Sequence, residues 1–282
     1  MSISMIESLS EGKLGEADLC EDLFVYTNDF VAVIDGATNI SGRKMNGKTP
    51  GRLAAEIIKA TIESLPREIS LQDMIKEINL SMQHTYHEIG LVEEIKKNAW
   101  MAPTASLIVY SDYHREVWQI GDCQCMIDDK LYKNEKVIDE ITANARSLYL
   151  EAELIKGKTI TELLENDPGW TFIQELIQQQ YFLQNDPENQ YGFEIINGFE
   201  VDFSKVKIIK VPTDATYIVL ASDGYPYVKS SLAESEELLQ KVLTEDPLCF
   251  RLYKSAKGLK KGNLSFDDRT YLKFSVTKRV VI

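Results

Sequence analysis

The stretch 31-VAVIDGATN-39 contains an apolar, β-branched run that stops abruptly at Asp35 and Gly36. The same ending recurs in 218-IVLASDG-224, where Asp223 and Gly224 follow another apolar run. Both runs have the composition of short buried strands. Because each run ends in a carboxylate and a glycine, we predict two strands whose following loops bring acidic side chains to one place.

The composition of the 282-residue chain, with 44% hydrophobic and 27% charged residues, is typical of a globular protein. The formal net charge of −13 argues against partners that need a basic surface, namely nucleic acids and anionic membranes. No apolar run approaches the roughly 18 residues of a membrane span, and the N-terminus lacks the pattern of a signal peptide. The four cysteines do not have zinc-site spacing, so we expect reduced thiols in a cytoplasmic protein.

The pattern of apolar residues predicts one α+β domain over residues 1–282, without internal repeats or flexible linkers. Predicted strands lie towards both ends of the chain and helices lie between them. Short turns between neighbouring strands favour antiparallel pairing. In detail, the pattern predicts two strands over 23–35, one long helix over about 71–97, one continuous strand over 116–128, a variable helical segment at about 140–200 and helices over 231–260.

Four acidic clusters each lie at the beginning or end of a predicted strand. A single aspartate at such a position is most often a turn former or a helix cap. Four carboxylate clusters can share one place only if cations offset their mutual repulsion. Mg²⁺ and Mn²⁺ do this and prefer oxygen ligands. The clusters are Glu21-Asp22, Asp35-Gly36, Asp223-Gly224 and Asp267-Asp268.

The ordered set of motifs resembles the metal-dependent protein phosphatases of type 2C, the PPM family, over residues 21–274. The Glu-Asp and first Asp-Gly motifs are followed by 103-PTASLIVY-110, similar to the Gly-Ser-Thr-Ala strand of the family. Next, 119-QIGDCQCMI-127 resembles its Gly-Asp-Ser-Arg strand. The motifs 220-LASDGY-225 and 267-DDRT-270 resemble Ser-Asp-Gly and Asp-Asn-x-Thr. The chain looks like a divergent, bacterial-like member.

This resemblance implies a four-layer sandwich, in which two antiparallel sheets stack face to face and helices cover both outer faces. It also implies a centre of two Mg²⁺ or Mn²⁺ ions at one end of the sandwich. Asp35 would bridge both ions, and Asp223 and Asp267 would hold one of them. These three aspartates are therefore the expected catalytic residues.

The remaining metal ligands also follow from the resemblance. The carbonyl of Gly36 would hold the second ion, with Glu21 and Asp22 nearby through water. Asp122 would join Asp223 around a third, weaker ion. Elementary chemistry agrees with such a centre, because two cations about 3.5–4 Å apart activate a water and clamp a phosphoryl group without a nucleophilic side chain.

The sequence departs from the family pattern at two positions. The histidine that often follows Asp-Gly, and has been regarded as a general acid, is replaced by Ala37. The phosphate-binding arginine four residues before the first glutamate is replaced by Ala17. Basic residues after Asp35, such as Arg43 and Arg52, could bind phosphate instead, although a solvated loop is the simpler interpretation.

Three functional hypotheses follow. The leading one is a metal-dependent phosphatase that hydrolyses phosphoserine or phosphothreonine in a protein substrate. The second is a catalytically weak regulatory or binding module on the same fold, favoured by the lost histidine and arginine. The third is a phosphatase of the haloacid dehalogenase type, but its nucleophilic aspartate would fall at Val33, so that residue is missing.

Overall fold

The computed structural model describes residues 3–40 and 42–277, which form two five-stranded antiparallel sheets and seven α-helices. In chain order the strands are β1 (Ile3–Glu11), β2 (Leu23–Tyr26), β3 (Phe30–Gly36), β4 (Ala105–Ser111), β5 (Glu116–Ile120), β6 (Gln124–Ile127), β7 (Lys130–Tyr132), β8 (Lys207–Lys210), β9 (Tyr217–Ala221) and β10 (Arg269–Val276). The helices are α1 (Pro50–Ser64), α2 (Leu71–Glu88), α3 (Val92–Lys97), α4 (Val137–Ile155), α5 (Ile160–Glu165), α6 (Pro168–Gln179) and α7 (Leu232–Glu245).

One sheet has the strand order β1-β10-β9-β6-β7 and the other has the order β2-β3-β4-β5-β8. Every strand pairing in both sheets is antiparallel. The predicted α+β class with antiparallel sheets is therefore confirmed. Among the described residues, no helix combines the length and the apolar character that a membrane crossing requires.

Strand β3 shows why its sequence is apolar without alternation. Val31 and Val33 pack between the two sheets, together with Leu220 of the opposite sheet. Ala32 and Ile34 point to the other face and pack against α1 and α2. Both faces of the strand are covered, so every position is apolar.

The second sheet is covered in the same way on its outer face. Val219 of β9 and Tyr271 of β10 pack there with Leu239 and Val242 of α7. The order of layers is therefore helices, sheet, sheet and helix, which confirms the predicted four-layer sandwich. Helices α4 and α6 pack against each other within the predicted helical segment.

The single strand predicted over 116–128 is wrong, because this stretch forms β5 and β6 in different sheets. The chain crosses from one sheet to the other at Gly121, whose φ of +87° lies in the left-handed region. A Cβ on Gly121 would also lie 2.3 Å from the Ser106 hydroxyl oxygen. Glycine therefore allows the crossing, and the following residue, Asp122, lies in the connection between the two sheets.

Two helix predictions also need correction. The helix predicted over 71–97 is divided into α2 and α3 at Gly90, whose φ is +70°. Of the helices predicted over 231–260, only α7 forms. After α7, the Asp246 carboxylate accepts hydrogen bonds from the backbone N–H groups of Phe250, Arg251 and Leu252, which hold that segment in a loop.

Candidate metal centre

Three aspartates meet where strands of the two sheets end. Asp35 lies near the end of β3, Asp122 follows β5, and Asp223 follows β9. Each offers one carboxylate oxygen, and these three oxygens lie within 4.8 Å of one another. The convergence of the two Asp-Gly motifs, predicted from their strand endings, is therefore observed. Such a set of oxygen donors suits a hard divalent cation.

The glycines after Asp35 and Asp223 explain why the apolar runs end as they do. A Cβ on Gly36 would lie 2.5 Å from the Glu21 carbonyl oxygen. A Cβ on Gly224 would lie 2.0 Å from the Asp268 carbonyl oxygen. Only glycine permits these approaches, and each one brings another acidic cluster beside an Asp-Gly pair.

Glu21 and Asp22 lie buried close to this group. Burial, followed by the charge of Asp268, raises the pKa of Asp22 to about 8. Burial also raises the pKa of Glu21. Within the described part of the chain, Oε1 of Glu21 and Oδ2 of Asp22 are buried without a hydrogen-bond partner. Buried carboxylate oxygens without partners are the atoms that a cation or its bound water satisfies.

Asp267 lies among lysines rather than within the group of three aspartates. Its carboxylate contacts Nζ of Lys13 at 3.3 Å and also Nζ of Lys257. Burial alone would raise the pKa of Asp267, but the Lys257 and Lys13 ammonium groups outweigh it and lower the pKa to about 2. Asp267 is therefore ionised.

Asp268 fixes the loop beside it. Its carboxylate accepts hydrogen bonds from the backbone N–H of Lys13 at 2.8 Å and from that of Glu21 at 2.9 Å. These bonds link segments that are distant in sequence, since Glu21 and Asp268 are 247 positions apart. They hold the Glu21-Asp22 segment against the start of β10.

The three converging aspartates have different electrostatic surroundings. Burial and neighbouring carboxylates raise the pKa of Asp35 well above its usual range and raise that of Asp223 to about 7. Burial would also raise the pKa of Asp122, but the Lys136 ammonium at 2.7 Å and the Ser106 hydroxyl at 2.5 Å lower it. Two of the three carboxylates thus favour a bound proton, which a cation can displace.

A cavity of about 680 Å³ opens over this group. Asp35, Asp122, Asp223 and Asp267 are among the residues that line it. The remaining wall combines apolar, basic and further acidic side chains from α4, α6 and neighbouring loops, among them Trp170, Ile177, Tyr181, Phe193, Lys136, Lys257, Asp139 and Glu140. The predicted helical segment therefore borders the site.

The two arginines suggested as phosphate ligands point elsewhere. Arg43 pairs with Glu94 at an exposed position. Arg52 pairs with Glu56 at 3.0 Å and donates to the Cys20 carbonyl at 2.8 Å. Neither arginine is among the described residues that line the cavity.

Sequence reasoning missed four residues that contact the acidic side chains. Ser106 lies in the motif 103-PTASLIVY-110, so the sequence held a signal for it, and the structure pairs it with Asp35 between β3 and β4. Lys13, Lys136 and Lys257 had none, since each lies in an ordinary polar stretch. Their contacts arise only from the tertiary fold.

Comparisons with protein families and with curated proteins find no match for this chain. Among solved structures, it is similar to a bacterial serine phosphatase, with 14% identity, a TM-score of 0.49 and coverage of 99% of this chain and 100% of the other. It is similar to the serine/threonine phosphatase Stp1 from Staphylococcus aureus, with 15% identity, a TM-score of 0.47 and coverage of 98% and 96%. It is also similar to RsbX in complex with magnesium, with 11% identity, a TM-score of 0.45 and coverage of 98% and 100%.

Proposed function

We propose that this protein is a divalent-metal-dependent phosphatase that hydrolyses phosphoserine or phosphothreonine monoesters in proteins. The observation that carries this proposal is the convergence of Asp35, Asp122 and Asp223 on the cavity wall, with one oxygen each within 4.8 Å of the others. A phosphoryl group could reach these carboxylates only with cations present, because both are negatively charged.

The residues of the site fit Mg²⁺ or Mn²⁺. The donors are carboxylate oxygens, which these hard ions prefer. We propose Asp35 as the ligand shared by two ions, Asp223 and Asp267 as ligands of one of them, and the Gly36 carbonyl as a ligand of the other. When bound, the ions supply an activated water and a clamp for the phosphoryl group.

The outer parts of the centre complete the assignment. Glu21 and Asp22 would accept hydrogen bonds from ion-bound water, since each has a buried oxygen without a partner in the described structure. Asp122, which lies beside Asp223, would support a third ion. At Asp267 an ion would compete with the ammonium groups of Lys13 and Lys257.

The remaining features of the protein are consistent with this function. The four cysteines are buried and free, as expected of a protein in the reducing cytoplasm, where we place it. Val33, at the position of the haloacid dehalogenase nucleophile, is buried in the core between the sheets. The haloacid dehalogenase mechanism therefore lacks its nucleophilic side chain at this position.

The test is hydrolysis of p-nitrophenyl phosphate and of a phosphoserine peptide, with Mn²⁺ and after chelation by EDTA. We expect turnover only with the metal, and a loss of kcat by a factor of about 10³ in Asp35→Asn. Asp214→Asn is the matched control, because it removes one carboxylate from an exposed loop outside the site. Undiminished turnover in metal-free protein would refute the proposal. Tight Mn²⁺ binding without turnover would instead indicate a regulatory or binding module.

A further inference from the structure

Lys257 is a cation on the wall of the cavity beside the acidic group. It lies in the loop between α7 and β10, and 27% of its side chain is exposed. It lines the same cavity as Asp35 and Asp223. Its Nζ donates to Oδ2 of Asp267. An ammonium group has three donors, so one contact with a carboxylate leaves capacity for a ligand.

Two other lysines near the aspartates are more fully engaged. Lys13 contacts Asp267 at 3.3 Å and Asp268 at 3.2 Å and is not among the described residues that line the cavity. Lys136 contacts Asp122 at 2.7 Å and Asp139 at 3.4 Å, and its Nζ lies 5.1 Å from the centre of the Phe193 ring.

The loop that carries Lys257 is fixed by Arg146 of α4, whose side chain is fully buried. Its guanidinium donates to the carbonyls of Cys249 at 3.3 Å and Ser255 at 3.0 Å. It also donates twice to one oxygen of Asp167, at 2.6 and 2.8 Å. These bonds tie both ends of the segment 249–255 to α4, two residues before Lys257. The ammonium therefore projects from a constrained backbone.

We propose that Lys257, carried by the loop that Arg146 fixes, binds the phosphoryl group of the substrate. The inference rests on the proposed function. A cationic side chain beside the acidic group would add charged hydrogen bonds to a phosphoryl group held there by metal ions. Arg43 and Arg52 are paired with glutamates outside the cavity lining, whereas Lys257 lies on the wall next to Asp223 and Asp267.

The experiment measures binding of inorganic phosphate to the Mg²⁺-loaded protein by calorimetry, together with KM and kcat for p-nitrophenyl phosphate. Charged hydrogen bonds predict that Lys257→Met weakens phosphate binding by about tenfold or more and raises KM comparably. Lys257→Arg should retain most of the affinity. Lys254→Met is the matched control, because Lys254 lines the same cavity but contacts Asn144 and is exposed. Its affinity for phosphate should equal that of the wild type.

Wild-type affinity in Lys257→Met, or an equal loss in Lys254→Met, would overturn the proposal. If Lys257→Met does not fold, Lys257→Gln and Lys257→Arg decide the question. Equal affinities of these two variants would show that the charge is not used. The phosphatase function and the phosphate contact of Lys257 can fail separately. If the wild-type protein binds phosphate through Lys257 but hydrolyses no ester, the result contradicts the phosphatase function and supports the phosphate contact.

Discussion

Replacing Asp223 by asparagine should stabilise the metal-free protein. Asp223 is surrounded by Asp122 and Asp267, and burial together with these charges raises its pKa from 3.8 to about 7. An unfolded chain has no such surroundings, so its aspartate ionises near the ordinary value. The folded protein therefore loses stability as the pH rises between these two pKa values, because the unfolded state releases its proton first.

The size of the effect follows from the two pKa values. The rise from 3.8 to about 7 corresponds to about 4 kcal/mol once both states are ionised. Water in the cavity screens part of this cost, so we expect Asp223→Asn to raise the free energy of unfolding by about 2 kcal/mol at about pH 8. At about pH 5 the folded wild-type protein keeps the proton, and the gain should shrink to less than half.

Urea denaturation in EDTA at the two pH values measures this directly. Asp214→Asn is the control for a change in net charge, because Asp214 lies in an exposed loop before β9. With saturating Mn²⁺ the wild type should become more stable than Asp223→Asn. The metal stabilises the folded protein that binds it, and the wild type keeps the full set of carboxylates. A variant that is no more stable than the wild type at about pH 8, or that gains equally at both pH values, would refute the electrostatic account of the site.

Further expectations concern the scaffold and the chemistry. Arg146→Met should lower the free energy of unfolding by about 3–5 kcal/mol in a urea titration, because it leaves Asp167 without its buried partner; a loss under about 1 kcal/mol would contradict this. Gly224→Ala should lower the free energy of unfolding by about 3 kcal/mol in the same titration, because its Cβ would lie 2.0 Å from the Asp268 carbonyl oxygen. An unchanged urea midpoint would show that the loop moves to accommodate the methyl group without cost. Finally, Ala37 provides no general acid to protonate the leaving group. The value of log kcat for aryl phosphates at saturating Mn²⁺ should therefore fall steeply as the leaving-group pKa rises. A slope near zero would show that another group supplies the proton.

The sequence by itself determined the strands that end in carboxylates. A buried strand requires a continuous apolar run, and the abrupt change to Asp-Gly marks its end, so Asp35 and Asp223 could be placed without a structure. Both faces of β3 are covered, so its sequence does not alternate between apolar and polar residues. The same local pattern could not reveal β1, because its exposed and buried residues follow no strong apolar run, and its place beside β10 depends on pairing across the whole chain.

Only the tertiary structure decided which cations face the carboxylates. Lys13 contacts Asp267 across 254 residues of sequence, and Lys257 reaches the same carboxylate from a loop that the pattern predicted as helix. The division of 116–128 at Gly121 was equally hidden, since a positive φ depends on the crossing between sheets rather than on neighbouring residues. Periodicity records which side chains are buried, whereas charge pairing depends on distances between segments that sequence spacing does not encode.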